Sequence, residues 1–445
     1  MPGITQKLNS LRVLGCFVFL FGYSTTSIAQ DFKLEVVVSD VENFWEAYDR
    51  ICVAKDSAEK IKLIHELYID KGSIGLKEMM RVRDYQDYEF VEMIEKYPKY
   101  WPSIRGNMDA LLKDKKKIEE HLLDLKKLYP PLRSVPIYFV VGAFRSAGTY
   151  TNDAVLFGAE FMLANENSDY SELPERVQWG IKNYCPYNIP TTAVHEFVHT
   201  AQNKWEDRTI IHLSLGEGVA EYITTLVSGG ELGLPVKFGK ENADAVMQQY
   251  MKEILRDDDV WNWLWNTNNN HLKMNDLAYY IGYEFCERYM STVTDKSAGI
   301  KRLIEFDYTD DEGFSNFIDS THFLPNTIAE IDSMYEAQRP KVVRVQEFEN
   351  GSTEVDAALS TITFEFSERM STCCRGFDLV NEQGIVNLEI AEFVGWSDDM
   401  KRYTLRLKPL KQETTYGIVI TSFAKEDGGN RIAPYVVLFH TKATK

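Results

Sequence analysis

The 445-residue chain has few cysteines and, after its first 29 residues, no long apolar run. It has six cysteines, none with CxxC spacing, and the five beyond the N-terminal segment are odd in number. The sequence therefore predicts neither a disulfide framework nor a thiolate metal site, although the adjacent Cys373 and Cys374 can form a vicinal disulfide. A membrane-spanning helix needs about 18 apolar residues, so we expect no span in the mature chain.

Positive charge is also scarce. There are 49 Lys and Arg residues against 67 Asp and Glu residues, which gives a formal net charge of −18. So acidic a chain repels phosphate backbones, and this excludes nucleic acid as an expected partner. The hydrophobic content of 44% is ordinary for a globular protein. At roughly 100–200 residues per domain, the length predicts two or three domains, each with its own core.

Residues 1–29 have the composition of an export signal. Two basic residues precede an apolar run over 13–23, and Ser27 and Ala29 are small residues at the positions that a signal peptidase reads. The sequence therefore predicts cleavage before Gln30 and export to the periplasm or the cell exterior of a bacterium. An uncleaved amphipathic anchor is the alternative interpretation.

The spacing of apolar residues divides the remaining chain into regions. Residues 30–134 have apolar residues every three or four positions, which predicts helices that stop at Pro130. The segments 135–141 and 154–161 are short and rich in β-branched and aromatic residues, so we expect two strands. From Pro190 to about residue 337 the helical spacing returns.

A boundary is expected near Pro340, after which the pattern changes again. Residues 342–445 consist of short alternating segments separated by turn-forming residues, which predicts a small β-sandwich. The expected fold is therefore multidomain. A helical N-terminal region over 30–134 precedes a mainly helical α+β core over 135–339, and the sandwich follows.

The clearest chemical signal is the segment HEFVH. On a helix, His195 and His199 lie one turn apart on the same face, so both imidazoles can reach one metal ion. Glu196 lies beside them, where a carboxylate can take a proton from a metal-bound water. The segment predicts one zinc ion per chain with Glu196 as the general base. A helix with two surface histidines is the alternative.

Zinc needs a third protein ligand, and the segment LGEGVAEY has two carboxylates one helical turn apart. We expect a second helix, opened by a turn at Gly216, that crosses the first and presents Glu217 to the ion. Glu221 is predicted to accept a hydrogen bond from the free ring nitrogen of His195 and to fix its tautomer. Two alternatives stay open: Glu217 is an exposed acid at a helix start, or the two glutamates exchange roles. His212 is a possible ligand, but we expect it in a polar loop.

HEFVH followed by GEGVAEY resembles the gluzincin metallopeptidases, which include thermolysin and the zinc aminopeptidases, and most of all the predicted zinc-dependent proteases of bacteria. The resemblance is specific over residues 191–223 and diffuse over about 135–290. It implies a gluzincin-like zinc catalytic domain over 135–339. In this family the two histidines and the first glutamate of the second motif bind zinc, and the glutamate within HExxH is the general base. Matched by position, these residues are His195, His199, Glu217 and Glu196.

A tyrosine is also implied by the resemblance. Zinc aminopeptidases have a Tyr-x-x-Gly segment at a similar distance after HExxH, and its tyrosine supports the oxyanion. Tyr279 matches this pattern, with Tyr280 and Tyr283 as alternatives. A phenol suits the role because it is a neutral donor that can hydrogen-bond developing negative charge. The alternative is an aromatic stripe that packs into the core.

The sequence departs from the family in two places. Gly216 stands where the relatives have Asn, so His199 has no identified hydrogen-bond partner. The segment 154–161 lies where gluzincins have an edge strand that can pair with a substrate peptide. However, this segment lacks the Met and Asn of the aminopeptidase motif, so Glu160 is not assigned to recognition of a substrate amine.

Residues 342–445 resemble the Ig-like modules of bacterial surface-layer and secreted proteins. The resemblance depends on the order of the segments ITFEFSERM, WSDD, ETTYGIVI and FHT. It implies a spacer or a module that docks on a surface partner. A sandwich that packs on the catalytic region without a binding role is the alternative.

Together these features predict an exported zinc-dependent peptidase that acts on a peptide or protein substrate. The competing hypothesis is an inactive, peptidase-like surface binding or maturation factor with a structural zinc ion. The presence of Glu196 favours the enzyme, because a purely structural site needs no carboxylate beside its ligands. A scaffold with a chance HExxH would bind no metal.

Overall fold

The computed structural model describes residues 32–184, 188–204, 209–254, 260–264, 271–426 and 429–443. The predicted export signal with its cleavage site and Cys185 lie outside the described residues. The described residues from Leu34 onward belong to one compact unit. None of the described helices is both long and apolar enough to cross a membrane.

The N-terminal part is helical, as its apolar spacing predicts. The helices are α1 (Ser39–Ile51), α2 (Ser57–Ile64), which continues as a π-helical turn over His65–Ile69, α3 (Ile74–Arg83), α4 (Asp87–Lys96), α5 (Tyr100–Arg105) and α6 (Met108–Leu128). Side-chain caps begin two of them, because Asp56 accepts from the N–H of Glu59 and Ser73 from that of Leu76. α6 ends shortly before Pro130, the predicted stop.

A mixed sheet follows the helices and includes one strand from before them. Its strands are β1 (Val36–Val37), β2 (Ile137–Val140), β3 (Gly148–Thr151) and β4 (Ala154–Gly158), in the order β1-β2-β4-β3. β2 is parallel to β1 and β4, and β3 is antiparallel to β4. The sheet is buried at β4, all of whose residues are buried, whereas β3 is half-buried.

The sequence-based assignment was wrong at three points in this sheet. The prediction of helix alone from residue 30 missed β1, which is only two residues long. It also missed β3, which a two-residue turn at Asn152-Asp153 joins to β4 as a hairpin. The segment predicted as one strand over 154–161 leaves the sheet after Gly158 and forms α7 (Ala159–Met162). β4 lies inside the sheet, and β1 and β3 are its edge strands.

The middle of the chain is helical. Its helices are α8 (Glu175–Tyr184), α9 (Ile189–His199), α10 (Ile210–Val227), α11 (Leu234–Glu241), α12 (Ala243–Glu253), α13 (Val260–Trp263), α14 (Leu277–Thr292), α15 (Lys296–Ile304), α16 (Asp311–Ser320) and α17 (Ile328–Gln338). The expected turn at Gly216 is wrong, because Gly216 is buried in the middle of α10. His212 is likewise helical, with its ring stacked on Phe314, and not in a polar loop.

Two glycines allow α10 and α14 to touch. A Cβ atom at Gly282 would lie 1.7 Å from the carbonyl oxygen of Ser214, and one at Gly218 would lie 2.0 Å from the carbonyl carbon of Gly282. No side chain fits at either position, so the two backbones are in direct contact. Gly218 follows Glu217, and Gly282 lies almost one turn after Tyr279. This crossing therefore brings Tyr279 to Glu217.

The C-terminal part is built from strands, as predicted. In the part of the chain that the structure describes they form two sheets with the orders β5-β6-β10-β9 and β12-β11-β7, and β8 pairs with β11. The strands are β5 (Val342–Val345), β6 (Thr361–Phe366), β7 (Gly376–Asp378), β8 (Val386–Asn387), β9 (Ile390–Trp396), β10 (Arg402–Leu407), β11 (Thr415–Thr421) and β12 (Tyr435–His440). A buried cluster that includes Phe364, Tyr403 and Phe439 packs between them. Cys373 and Cys374 form a disulfide before β7.

Candidate metal centre

Three buried side chains from two helices meet at one point. The Nε2 atoms of His195 and His199 are 3.2 Å apart, and Oε2 of Glu217 lies 3.1 Å from the first and 3.2 Å from the second. α9 carries both histidines, and its first turn is fixed by Pro190 and by the Asn188 side chain, which accepts from the N–H of Thr191. α10 crosses α9 and supplies Glu217, which is therefore buried and not an exposed acid at a helix start.

The three ligand atoms can hold a metal ion. Zinc bonds of 2.0–2.2 Å at tetrahedral angles place neighbouring ligand atoms about 3.3 Å apart. The distances of 3.1–3.2 Å between the atoms of His195, His199 and Glu217 are close to that value. Two imidazoles and one carboxylate are also a typical donor set for a zinc site with an open fourth position. The geometry and the chemistry of the donors therefore fit the ion.

Glu221 contacts the opposite ring nitrogen of His195. Its Oε2 lies 3.4 Å from Nδ1 of His195, and its Oε1 accepts a hydrogen bond of 3.0 Å from the N–H of Gly233. Burial lowers the pKa of His195, but the two carboxylates of Glu217 and Glu221 outweigh this effect and raise it to about 10. The same negative charges favour a dication at this place. The arrangement fits Glu217 as the metal ligand and Glu221 as the residue that orients the His195 ring. The alternative in which the two glutamates exchange roles is therefore not favoured.

Gln202 is the partner of His199 that the sequence reasoning did not identify. Nδ1 of His199 donates to Oε1 of Gln202 at 2.6 Å, and Nε2 of Gln202 donates to the carbonyl oxygen of Gly216 at 2.9 Å. These bonds fix the amide and place the proton of His199 on Nδ1, so that its Nε2 can act as a metal ligand. Helical spacing does not predict this contact, because α9 ends at His199 and Gln202 lies beyond it.

Removing the Gln202 amide should weaken metal binding without unfolding the protein. We expect Gln202→Ala to lower the zinc affinity about 10–100-fold, since an outer partner of a zinc histidine has effects of that size. Gln202→Glu should restore most of it, because a carboxylate can accept the same hydrogen bond. The matched control is Asn203→Ala, whose side chain binds the backbone of Glu305 and Phe306 instead of a ligand. Competition with a zinc-binding dye measures the affinities, and equal values for Gln202→Ala and Asn203→Ala would contradict the role.

Glu196 lies on α9 beside the ligands, against the edge strand. A Cβ atom at Gly148 would lie only 3.2 Å from its Oε1, so the glycine leaves room for the carboxylate. Burial raises the pKa of Glu196, and the charges of His199 and His195 oppose that rise. A carboxyl with a raised pKa is a better proton acceptor than an ordinary one. The position fits the predicted general base, although its role remains a prediction.

Tyrosines cover both histidine rings. Tyr279 stacks on His195 with a centroid distance of 5.2 Å and hydrogen-bonds Glu217, and Tyr150 of β3 stacks on His199 at 4.9 Å. The sequence reasoning missed Tyr150 because it missed β3. The alternatives to Tyr279 lie elsewhere: Tyr280 packs against Phe323, and the Tyr283 hydroxyl donates to Glu287. Among the three candidates, the structure brings only Tyr279 to the ligands.

Glu160 is a fully buried carboxylate that holds the loop between β2 and β3. Its oxygens accept hydrogen bonds from the N–H groups of Gly142 and Phe144, at 2.8 and 3.2 Å. Burial raises its pKa to about 7, although the backbone hydrogen bonds oppose the rise. These contacts give Glu160 a structural role in holding the loop. We therefore do not assign it to recognition of a substrate amine.

The raised pKa of Glu160 predicts a pH-dependent stability. The folded protein keeps this proton to about pH 7, whereas the unfolded chain loses it near the ordinary value of 4.5. The stabilisation is therefore complete below about pH 4.5 and is lost as the pH rises through 7, by roughly 3 kcal/mol. Denaturant unfolding should give the wild type a lower free energy of unfolding at pH 8 than at pH 5. Glu160→Gln should lack this part of the difference. An identical pH dependence in both proteins would contradict the assignment.

The comparisons with known proteins identify no family. No protein family and no curated protein matches the chain. Among solved structures, the chain is similar to the crystal structure of the S-layer protein rSbsC(31-844), with 13% identity and a TM-score of 0.19. The match covers 64% of this chain and 36% of that chain. At this TM-score the similarity carries no argument about fold or function.

Proposed function

We propose that the chain is an exported zinc-dependent peptidase with a gluzincin-like core. The observation that supports it is the buried cluster of His195, His199 and Glu217 with Glu196 on the next position of the same helix. A structural zinc site is closed by four protein ligands, whereas a catalytic one keeps a position open. Among the described residues, the cluster holds three candidate ligands. A carboxylate beside an open zinc position is the arrangement that hydrolysis requires.

We assign a role in the proposed reaction to each side chain of the site. His195, His199 and Glu217 would hold the zinc ion, which would supply Lewis-acid chemistry by lowering the pKa of a water molecule and polarising the substrate carbonyl. Glu196 accepts the water proton and later transfers it to the nitrogen of the leaving peptide. Tyr279 donates its phenol hydrogen to the negative charge that develops on the carbonyl oxygen.

The edge strand β3 supports a peptide as the substrate. β3 pairs with β4 on one side, and no described strand pairs with its other side. A Cβ atom at its Gly148 would lie 3.2 Å from the Glu196 carboxylate, and its Tyr150 covers His199. An extended peptide that added to this edge would have its backbone beside both groups.

The two sheets of the C-terminal part support our assignment of residues 342–445 to an Ig-like sandwich. We assign them the role of a spacer or docking module, because the described part of this region brings together no metal-binding cluster. The alternative function, a binding or maturation factor with a structural zinc ion, uses the same module and the same ligands. It differs in making Glu196 dispensable.

A chelator-sensitive cleavage assay tests the proposed function. The protein from Gln30 onward, loaded with zinc, is incubated with a library of quenched fluorescent peptides. We expect cleavage that 1,10-phenanthroline abolishes and added zinc restores. Cleavage that persists after metal removal contradicts the mechanism. No cleavage by protein that holds one zinc ion contradicts the peptidase and leaves the binding factor.

A further inference from the structure

The edge strand β3 directs one of its faces toward α9. Alternate residues of a strand lie on the same face, so Gly148 and Tyr150 share a face and Thr149 lies on the other. The Tyr150 ring stacks on the His199 imidazole, with centroids 4.9 Å apart and an angle of 25° between the planes. A Cβ atom at Gly148 would lie 3.2 Å from Oε1 of Glu196. This face of β3 therefore lies against the helix that carries both histidines.

His199 is held both at its edge and at its face. At the edge, its Nδ1 donates to Oε1 of Gln202 at 2.6 Å. A hydrogen bond tolerates some bending, so this contact alone leaves the tilt of the imidazole plane loosely defined. At the face, the stacked ring of Tyr150 limits that tilt, because aromatic pairs have preferred relative orientations. The two contacts together define the direction in which Nε2 of His199 points.

The other histidine of the cluster has the same two kinds of support. Oε2 of Glu221 lies 3.4 Å from Nδ1 of His195, and the Tyr279 ring stacks on His195 with an angle of 10° between the planes. The planes of the two imidazoles are 83° apart, although their Nε2 atoms are only 3.2 Å apart. Each ring therefore has its own support, and the one that covers His199 comes from β3.

The stack with Tyr150 is expected to be stronger when His199 binds a metal ion. Coordination to a dication withdraws electrons from an imidazole and leaves the ring partly positive. The face of a tyrosine ring carries negative charge, so it attracts a positive group that lies over it. The stack then stabilises the metal-bound protein more than the metal-free protein, and by linkage its loss weakens metal binding.

We propose that Tyr150 is a positioning residue of the metal centre, whose ring holds the plane of His199 so that Nε2 points to the ion. It acts through His199, and its ring is responsible for the effect, whereas its hydroxyl is not. This role rests on the metal-binding part of the proposed function and does not require that peptides are cleaved. The edge strand would therefore support the metal centre itself, in addition to any substrate that it binds.

The test uses Co²⁺ in place of zinc, because Co²⁺ binds the same ligands and its visible absorption bands depend on the geometry of those ligands. Tyr150→Leu removes the ring, and Tyr150→Thr removes it with a residue that suits a half-buried strand. Tyr150→Phe keeps the ring without the hydroxyl, and the control Thr149→Val changes the opposite face of the strand. Competition with a zinc-binding dye measures the zinc affinities, and denaturant unfolding of the metal-free proteins shows that each variant is folded.

We expect both variants without the ring to bind zinc about 3–10-fold more weakly than the wild type, the range for the loss of one aromatic pair. Their Co²⁺ bands should differ from those of the wild type, because the His199 ring can tilt. Tyr150→Phe should stay within about twofold of the wild-type affinity and keep the wild-type bands. Thr149→Val should do the same, since its side chain lies on the other face of β3.

Two results would overturn the role of Tyr150 alone. One is a wild-type affinity and wild-type Co²⁺ bands in the folded variants without the ring. The other is an equal loss in Tyr150→Phe, which would assign the effect to the hydroxyl. A wild type that binds neither metal would overturn both this role and the proposed function. The expected changes in a protein that cleaves no peptide would support the role of Tyr150 and overturn the peptidase function alone.

Discussion

Glu196→Gln is expected to lower turnover by about 10²–10⁴-fold while the protein keeps its zinc ion. The amide has the shape of the carboxylate and fits the same space against Gly148, where Oε1 of Glu196 now lies. It cannot accept a proton, so it removes general-base catalysis alone, which contributes about 10²–10⁴-fold to a rate. We therefore expect kcat to fall by that factor, with one zinc ion per chain in both proteins. Elemental analysis and the peptide-cleavage assay measure the two quantities.

The control for Glu196→Gln is Glu231→Gln, which changes a carboxylate that binds Asn188 at the start of the same helix. This variant should lose neither zinc nor turnover, because the side chain contacts no ligand. If Glu196→Gln cleaves peptides at the wild-type rate, the proposed base is wrong. If neither the wild type nor Glu196→Gln cleaves any peptide although both hold zinc, the binding factor with a structural zinc ion becomes the better explanation.

Local spacing was sufficient to predict which residues of α9 meet. His195 and His199 are four residues apart, and in any α-helix that separation places both rings on one face. The third ligand required tertiary information, because Glu217 and Glu221 both have the correct side-chain type. The crossing of α10 over α9 selects Glu217, and the glycine contact between α10 and α14 selects Tyr279 over Tyr280 and Tyr283.

The errors in the sequence analysis fall where tertiary contacts, and not local residue spacing, decide the structure. A turn was expected at Gly216 because glycine disfavours a helix interior by about 1 kcal/mol relative to alanine. Burial of this segment against its neighbours outweighs that preference. β3 has only four residues and no face that is fully buried, so it has no strong alternating pattern. Gln202 and Tyr150, which hold His199, were missed because each needs the crossing or the hairpin to be known.

Glu217→Ala should remove most of the zinc. Its Oε2 is the atom that lies 3.1 and 3.2 Å from the two histidine nitrogens, so the variant deletes one of the three ligands of the cluster. Loss of an outer partner of a zinc ligand costs about 10–100-fold in affinity, and loss of a ligand itself should exceed that range. We expect about one zinc ion per wild-type chain and little in Glu217→Ala after dialysis without chelator.

Glu221→Ala is the matched comparison, because it removes a carboxylate one helical turn away that contacts the other nitrogen of His195. If Glu221 only orients the ring, this variant should lose about 10–100-fold in affinity and keep zinc at high concentration. The less disruptive Glu217→Gln preserves the side-chain volume at the buried position, so a zinc loss shared with Glu217→Ala cannot arise from a cavity. The reverse order, with more zinc lost in Glu221→Ala than in Glu217→Ala, would move the third ligand to Glu221. A wild-type chain that binds no zinc even after reconstitution would contradict the metal centre and with it the hydrolase.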